Sequence, residues 1–447
     1  MMKDKTVEGT ELSDEVTDKI YDFNMDLSFP RRNDGTTGHK KAIDFIENTL
    51  DEEGIEYNEQ AFYWKNLRKR RRYTQKIPML ILSIRILIGL IMAFFQDHTV
   101  IPGNAWYVWL ADPGWITIIS AAILLMMFIF IYSDCIKPNL TTLWLLNKKI
   151  REGKKDEEKF RKGKNIIVNL GKDGLNLRER TNDTPILIII AHYDSISVRF
   201  RPALQNILYG RIGTVLISSI LTLIVIPLWM YYGFFSWWII LANGIAIISA
   251  FFSSFAYTVS LFNKLTNESP GAFDNASGCA TMYGTMKMLK DQDLNADVRF
   301  IFTDCEEEGL MGTIMYLQEV HEELLKLENK GRVKVLSLDG TGGEPKLALL
   351  SNYGIPRVVR CGKNLKSEFK QIGQDLYDID LKSLWAPYAS SDHAVFGEFG
   401  FDAIQLFSMG MVSNTKYDTK DKIRKRTLSM TTNFVKEWIL RNSDRRI

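Results

Sequence analysis

Cysteine is scarce in this chain, four residues in 447. That is too few for a disulfide framework, so the fold must rest on a buried core. Charge of either sign is not in excess: 56 basic against 53 acidic residues leave a formal +3. Nothing here drives the whole molecule toward nucleic acid, and no nucleic-acid partner is expected. Internal repeats and low-complexity stretches are missing, and 46% hydrophobic with 24% charged residues excludes a disordered or collagen-like chain. Residues 1–22 are polar and acidic with no apolar stretch, so no cleavable signal peptide is expected. Histidine is rare as well, with five in all, so each one set beside acids carries weight.

What is present is segregated. Four long apolar runs stand out, at 77–95, 115–132, 212–232 and 237–258. Each is about 18–22 residues, the length with which a helix crosses about 30 Å of hydrocarbon. Buried core helices are the plainer alternative, but those are usually shorter and keep a polar face. The reading is four transmembrane helices in two hairpins, 77–135 and 212–262. Arg85 interrupts the first run at a cost of about 2.5–3.5 kcal/mol. It is expected to snorkel to the interface or to pair with an acid, Asp134 being the nearest candidate.

Lys65, Arg68, Lys69, Arg70, Arg71, Arg72 and Lys76 precede the first run, and NKKIREGKKDEEKFRKGK follows the second. Residues 96–114 hold no Lys or Arg. The positive-inside rule then places both hairpins' ends, and nearly all the polar chain, on the cytoplasmic side of a multi-pass membrane protein. Basic residues abutting apolar helices also favour anionic lipid headgroups as their partner.

The remaining pieces, 1–76, 136–211 and 263–447, alternate helical and strand patterns and predict one α/β domain. HKKAIDFIENTLDE puts Ala42, Ile43, Phe45, Ile46 and Leu50 on one helical face. IEYNEQAFYW alternates like a strand, while NIIVNL, PILIII, VRFIFTD, VKVLSLD and AIQLFS read as buried strands. Several of these end on acids or histidine: His192 and Asp194 after PILIII, Glu306-Glu307-Glu308 after VRFIFTD, Asp339 after VKVLSLD. In open α/β sheets ligands bind outside the carboxyl ends of strands, so these groups are expected to share a crevice. Asp274 and His393 sit in loops. Taken singly, each has a duller reading, as a strand-end histidine, a solvated acidic turn or a turn-capping aspartate. Together they form an imidazole-and-carboxylate set without a thiolate cluster, which suits zinc in a catalytic setting. Two imidazoles and three acids, one shared, would build a two-metal site about 3.5–4 Å across.

The motifs AHYDS (191–195), SPGAFDNASG (269–278), CEEEGLMGT (305–313), LDGTGG (338–343) and SSDHAVF (390–396), in that order, resemble the family-28 zinc exopeptidases. These are dizinc aminopeptidases with carboxypeptidase and glutaminyl-cyclase relatives. The resemblance covers most of the chain outside the apolar runs and none of those runs. It implies a mixed, largely parallel sheet with helices on both faces. It also implies two zinc ions per chain, bridged by Asp274, with His192 and Asp339 completing one site and Glu307 and His393 the other. Asp194 would orient the His192 ring, and Glu306 would be the general base. The peptide after Asp274 would be cis. His39, His98 and His321 match no ligand motif and are expected at the surface or in local packing. Cys135, Cys279, Cys305 and Cys361 are expected to be reduced.

Two features depart from the family. The terminal motif reads SNTKYDTKDKI, with Asn414 near the place where many relatives have a histidine. The apolar hairpins interrupt the catalytic domain, the second falling between His192 and Asp274, which would hold the site close to a bilayer. The activity implied is a membrane-bound zinc aminopeptidase acting on short peptides. A carboxypeptidase or a one-zinc glutaminyl cyclase on the same scaffold is the first alternative, and a non-catalytic receptor or complex subunit the second. Nothing in the sequence specifies an oligomeric state.

Overall fold

The computed structural model describes residues 12–28, 31–65, 75–95, 113–133, 137–171, 184–200, 202–232, 237–326, 332–354, 357–386, 391–410 and 412–443. They form two compact units: Met1–Lys65, Cys135–Val198 and Leu265–Ile447 make one, Asn66–Asp134 and Arg199–Lys264 the other. The apolar insertions thus begin earlier than 77 and 212. At the second, the helix Pro202–Tyr232 starts well before its apolar run.

The first unit is a mixed α/β fold. Its strands are β1 (Tyr57–Trp64), β2 (Arg161–Leu170), β3 (Ile186–His192), β4 (Ser197–Val198), β5 (Leu265–Thr266), β6 (Asp297–Thr303), β7 (Val333–Leu338), β8 (Glu344–Tyr353), β9 (Val359–Arg360), β10 (Lys382–Ala386) and β11 (Asp402–Met409). Nine of these make one sheet in the order β1-β2-β6-β3-β7-β11-β8-β10, with β9 on β8. The central four, β6, β3, β7 and β11, run parallel. Antiparallel β2 and β8 flank them.

Side chains alternate across a strand, so β3 feeds two cores at once. Leu187, Ile189 and Ala191 pack with helices Asp14–Leu27, Thr37–Glu52, Ser277–Leu289, Lys363–Tyr377 and Lys425–Ser443. Ile186, Ile188 and Ile190 pack with Lys137–Arg151, Met311–Lys326 and His393–Gly397. Burial on both faces is why β3 reads as an unbroken apolar run from Ile186 to Ile190. Strands β8 and β10 were not expected; β10 borders a half-buried edge, where the apolar signal fades.

Among the described residues the second unit comprises helices Ile77–Phe95, Pro113–Ser133, Pro202–Tyr232 and Trp237–Phe262. Its polarity is inverted relative to a water-soluble bundle. Ile81, Met126, Trp238, Ile248 and Phe251 face outward, more than half exposed. Ser83, Thr117, Ser218, Thr222, Asn243 and Ser253 are buried between helices, and Ser83 and Ser253 share a 3.0 Å hydroxyl hydrogen bond. By length and composition one of the four, Trp237–Phe262, can cross a membrane, where four were expected. The other described apolar stretches are shorter, Ile77–Met92, Gly114–Ile129 and Gly213–Leu228. Asp134, His98 and most of the loop 96–114 lie outside the described residues.

Candidate metal centre

His192 is the last residue of β3, paired with Thr303 at the end of parallel β6. Asp339 follows the end of β7, the neighbour of β3 on its other side. Parallel strands end on the same edge, so these residues meet where the sequence pattern placed them. The buried His192 Nε2 lies 3.2 Å from Asp274 Oδ1, 3.8 Å from Asp339 Oδ1 and 3.9 Å from Glu306 Oε2. His192, Glu306 and Asp339 each offer one ligand atom within 4.8 Å of the others. Burial works against a charged ring, yet Glu306, Asp194, Asp274 and Asp339 raise the His192 pKa well above its ordinary value. The acids respond in kind. Burial, and then mutual repulsion, pushes Glu306, Glu307 and Asp339 above the usual carboxylate range. A buried pocket this rich in negative charge fits a divalent cation.

Asp194 ties the site together. Its Oδ1 is 3.3 Å from His192 Nδ1. The same carboxylate accepts from the backbone N–H groups of Glu306 (3.1 Å) and Glu307 (3.2 Å). The chain turns sharply there, with Cys305 at φ 56° and Gly309 at φ 117°. Two adjacent glutamates can therefore serve different places, Glu306 facing His192 and Glu307 standing beside it.

Asp274 is held by residues that carried no ligand signal in the sequence. Asp418 accepts from the N–H groups of Phe273, 2.6 Å, and Asp274, 2.9 Å. Burial first, then Asp274, push the Asp418 pKa up to about 8. Arg32, fully buried, donates to the carbonyls of Tyr193, Leu27, Pro270 and Gly271. It thus joins the His192 strand end to the Asp274 loop. Gly271 turns into that loop at φ +62°, and a Cβ there would meet Ser195 Cβ at 2.6 Å and Arg32 Nη2 at 2.7 Å. The Asp274–Asn275 peptide is cis. Asn275 then donates to Leu338 O and accepts from Gly278 and Gly340 N–H. Asp418 lies within the terminal motif SNTKYDTKDKI, whereas Arg32 lies in no motif.

His393 is set apart. It is fully buried, neither ring nitrogen has a hydrogen-bond partner, and the ring stands edge-on to Tyr353. Burial alone lowers its pKa to about 3, with no carboxylate raising it as around His192. Its neighbour Asp392 accepts from Thr303 Oγ1 at 3.0 Å and Thr313 Oγ1 at 2.5 Å. Glu307 meets Asn414. With Nδ2 turned toward the carboxylate, the amide donates to both Glu307 oxygens, at 2.5 and 3.0 Å. His39 takes the local-packing place of the two expected for it, buried with Nε2 2.7 Å from Asp304 Oδ1. The ring of His321 packs against Phe399. Cys279, Cys305 and Cys361 are free and buried, and Cys135 lies outside the described residues.

A family model described as "Peptidase family M28" matches residues 247–439. The stretch includes Asp274, Glu306, Glu307, Asp339 and His393 and excludes His192 and Asp194. Aminopeptidase YwaD of Bacillus subtilis (strain 168) is 30% identical over 136 residues, 30% of this chain and 28% of the relative. The match spans little more than a quarter of that relative's length. Among solved structures, BSAP, a zinc aminopeptidase from Bacillus subtilis, aligns over 96% of this chain and 95% of its own with TM-score 0.50 and 14% identity. A glutaminyl cyclase from Fimbriiglobus ruber aligns over 95% and 94% with TM-score 0.49 and 14% identity. The likeness to BSAP is one of fold.

Proposed function

We propose that this chain is a membrane-anchored, zinc-dependent exopeptidase of aminopeptidase type, acting on short peptides from the cytoplasmic side. The convergence of Asp274, Asp339 and Glu306 on the buried His192 carries the reading. His192, Asp274 and Asp339 would hold the metal; the family resemblance would add Glu307 and His393 at a second ion. Zinc bound there supplies a Lewis acid for the scissile carbonyl and makes water a competent nucleophile near neutral pH. Asp194, on the Nδ1 side of His192, fixes which ring nitrogen faces the crevice. Glu306 would accept the proton of the attacking water and return it to the leaving amine.

The matched family segment supports peptide as the substrate class. The bilayer reading draws on the second unit, whose apolar side chains face outward over buried hydroxyls. That arrangement suits lipid better than water. The basic flanks at 65–76 and 148–164 support a cytoplasmic orientation.

The test is a panel of short peptides, free or blocked at either end, some opening on glutamine, with full-length protein in detergent. Cleavage should require a free amino terminus, stop on chelation and return with zinc. A requirement for a free carboxyl end would make it a carboxypeptidase, and ring closure of N-terminal glutamine a cyclase. No turnover of any peptide by zinc-loaded protein would leave a binding role.

A further inference from the structure

We propose that the crevice holds one divalent ion instead of two, because the Asn414 amide occupies the position beside Glu307 that a second ion would need. The proposal rests on the metallopeptidase reading and alters its metal count. A second ion would need Glu307 and another ligand at coordinating separation. Around a tetrahedral zinc with bonds of about 2.0–2.1 Å, neighbouring ligand atoms sit about 3.3 Å apart. With Nδ2 turned toward the carboxylate, the Asn414 amide donates to the two Glu307 oxygens at 2.5 and 3.0 Å. Those are hydrogen-bond distances, closer than two atoms sharing an ion. Both oxygens are engaged, so the carboxylate has its charge partly satisfied without metal.

The contact is built into the fold. Asn414 lies in the left-handed region, φ 61°, which asparagine tolerates better than most residues. Its carbonyl accepts from Val198 N–H at 2.9 Å, just past the His192 strand end. Glu307 is fixed from the other side through its N–H to Asp194 Oδ2.

The imidazole expected to complete a second site is not in the acidic cluster. The His393 nitrogens have no hydrogen-bond partner, and its ring stands against Tyr353, whose hydroxyl donates to Ala394 O. His192, by contrast, has three carboxylates within 4 Å of Nε2. One metal position is furnished, and the other is closed by an amide.

Elemental analysis of purified full-length protein, equilibrated with zinc and desalted, tests this without reference to activity. Wild type should retain one zinc per chain. Asn414→His places an imidazole beside Glu307, and its count should rise to two. Glu307→Gln, which keeps an amide-compatible shape, should still retain one, and it decides the matter should Asn414→His fail to fold. Two ions in wild type, falling to one in Glu307→Gln, would overturn the proposal while leaving the metallopeptidase reading intact. No zinc in wild type at any concentration would overturn both.

Discussion

Glu306 and Glu307 are adjacent in the chain but differ in surroundings, and the claim of catalysis depends on that difference. Glu306 Oε2 is 3.9 Å from His192 Nε2, while Glu307 is engaged by Asn414. Glu306→Gln preserves shape and hydrogen bonding but cannot accept a proton. General acid–base help is worth about 10²–10⁴-fold, so peptide hydrolysis should fall at least about a hundredfold while bound zinc stays constant. Asp339→Ala should instead release the metal along with the activity. Zinc analysis and a peptide assay on the same preparations check both. Loss of zinc from Glu306→Gln with retention in Asp339→Ala would falsify the assignment of roles.

At the scale of elements, the site depends on loops joined by groups that touch no reacting atom. Arg32 bridges the β3 end and the Asp274 loop through buried backbone acceptors. Arg32→Met leaves those carbonyls unpaired and the nearby acids uncompensated. The expected cost is about 3–5 kcal/mol, read as a lower unfolding midpoint and weaker zinc retention. The buried acids also set a pH dependence. Glu306, Glu307 and Asp339 are raised above the ordinary range, Asp392 to about 6 and Asp418 to about 8, burial being the first cause for each. Between about pH 4 and 8 the folded, metal-free chain therefore binds more protons than the unfolded one, so its stability falls as pH rises. Chelated protein should show a melting temperature that declines from pH 5 to 8, and zinc should restore most of the loss at the upper end. A flat profile in both states would remove the acidic pocket as its cause.

The chain forms an α/β unit and a second unit whose four described helices expose mainly apolar side chains. If the second unit lies in a bilayer with its basic flanks inside, a cysteine placed at Asn104 should be labelled by an impermeant reagent from outside intact cells. One placed at Lys154 should be labelled only after permeabilisation. The reverse pattern would invert the orientation. Equal labelling of both from outside would argue against the two hairpins.

The sequence alone determined the central strands, because burial on both faces leaves strongly apolar stretches, unbroken at 186–190 and interrupted only by Arg299 at 298–302. It also pointed to His192, Asp194, Glu306 and Asp339, since residues at the ends of parallel strands are brought to one edge by the topology itself, and to Asp274 through its loop motif. Tertiary structure decided what depends on residues far apart in the chain. Arg32 reaches a loop 239 residues away and Asp418 holds one 144 residues away. No local period or spacing encodes such meetings. The same holds for Asn414, a plain departure from a motif until the fold set its amide on Glu307. It holds again for His393, whose motif was legible but whose ring is packed against Tyr353 apart from the acids around His192. Spacing decides which residues can arrive at the crevice, and packing decides which way each side chain turns once there.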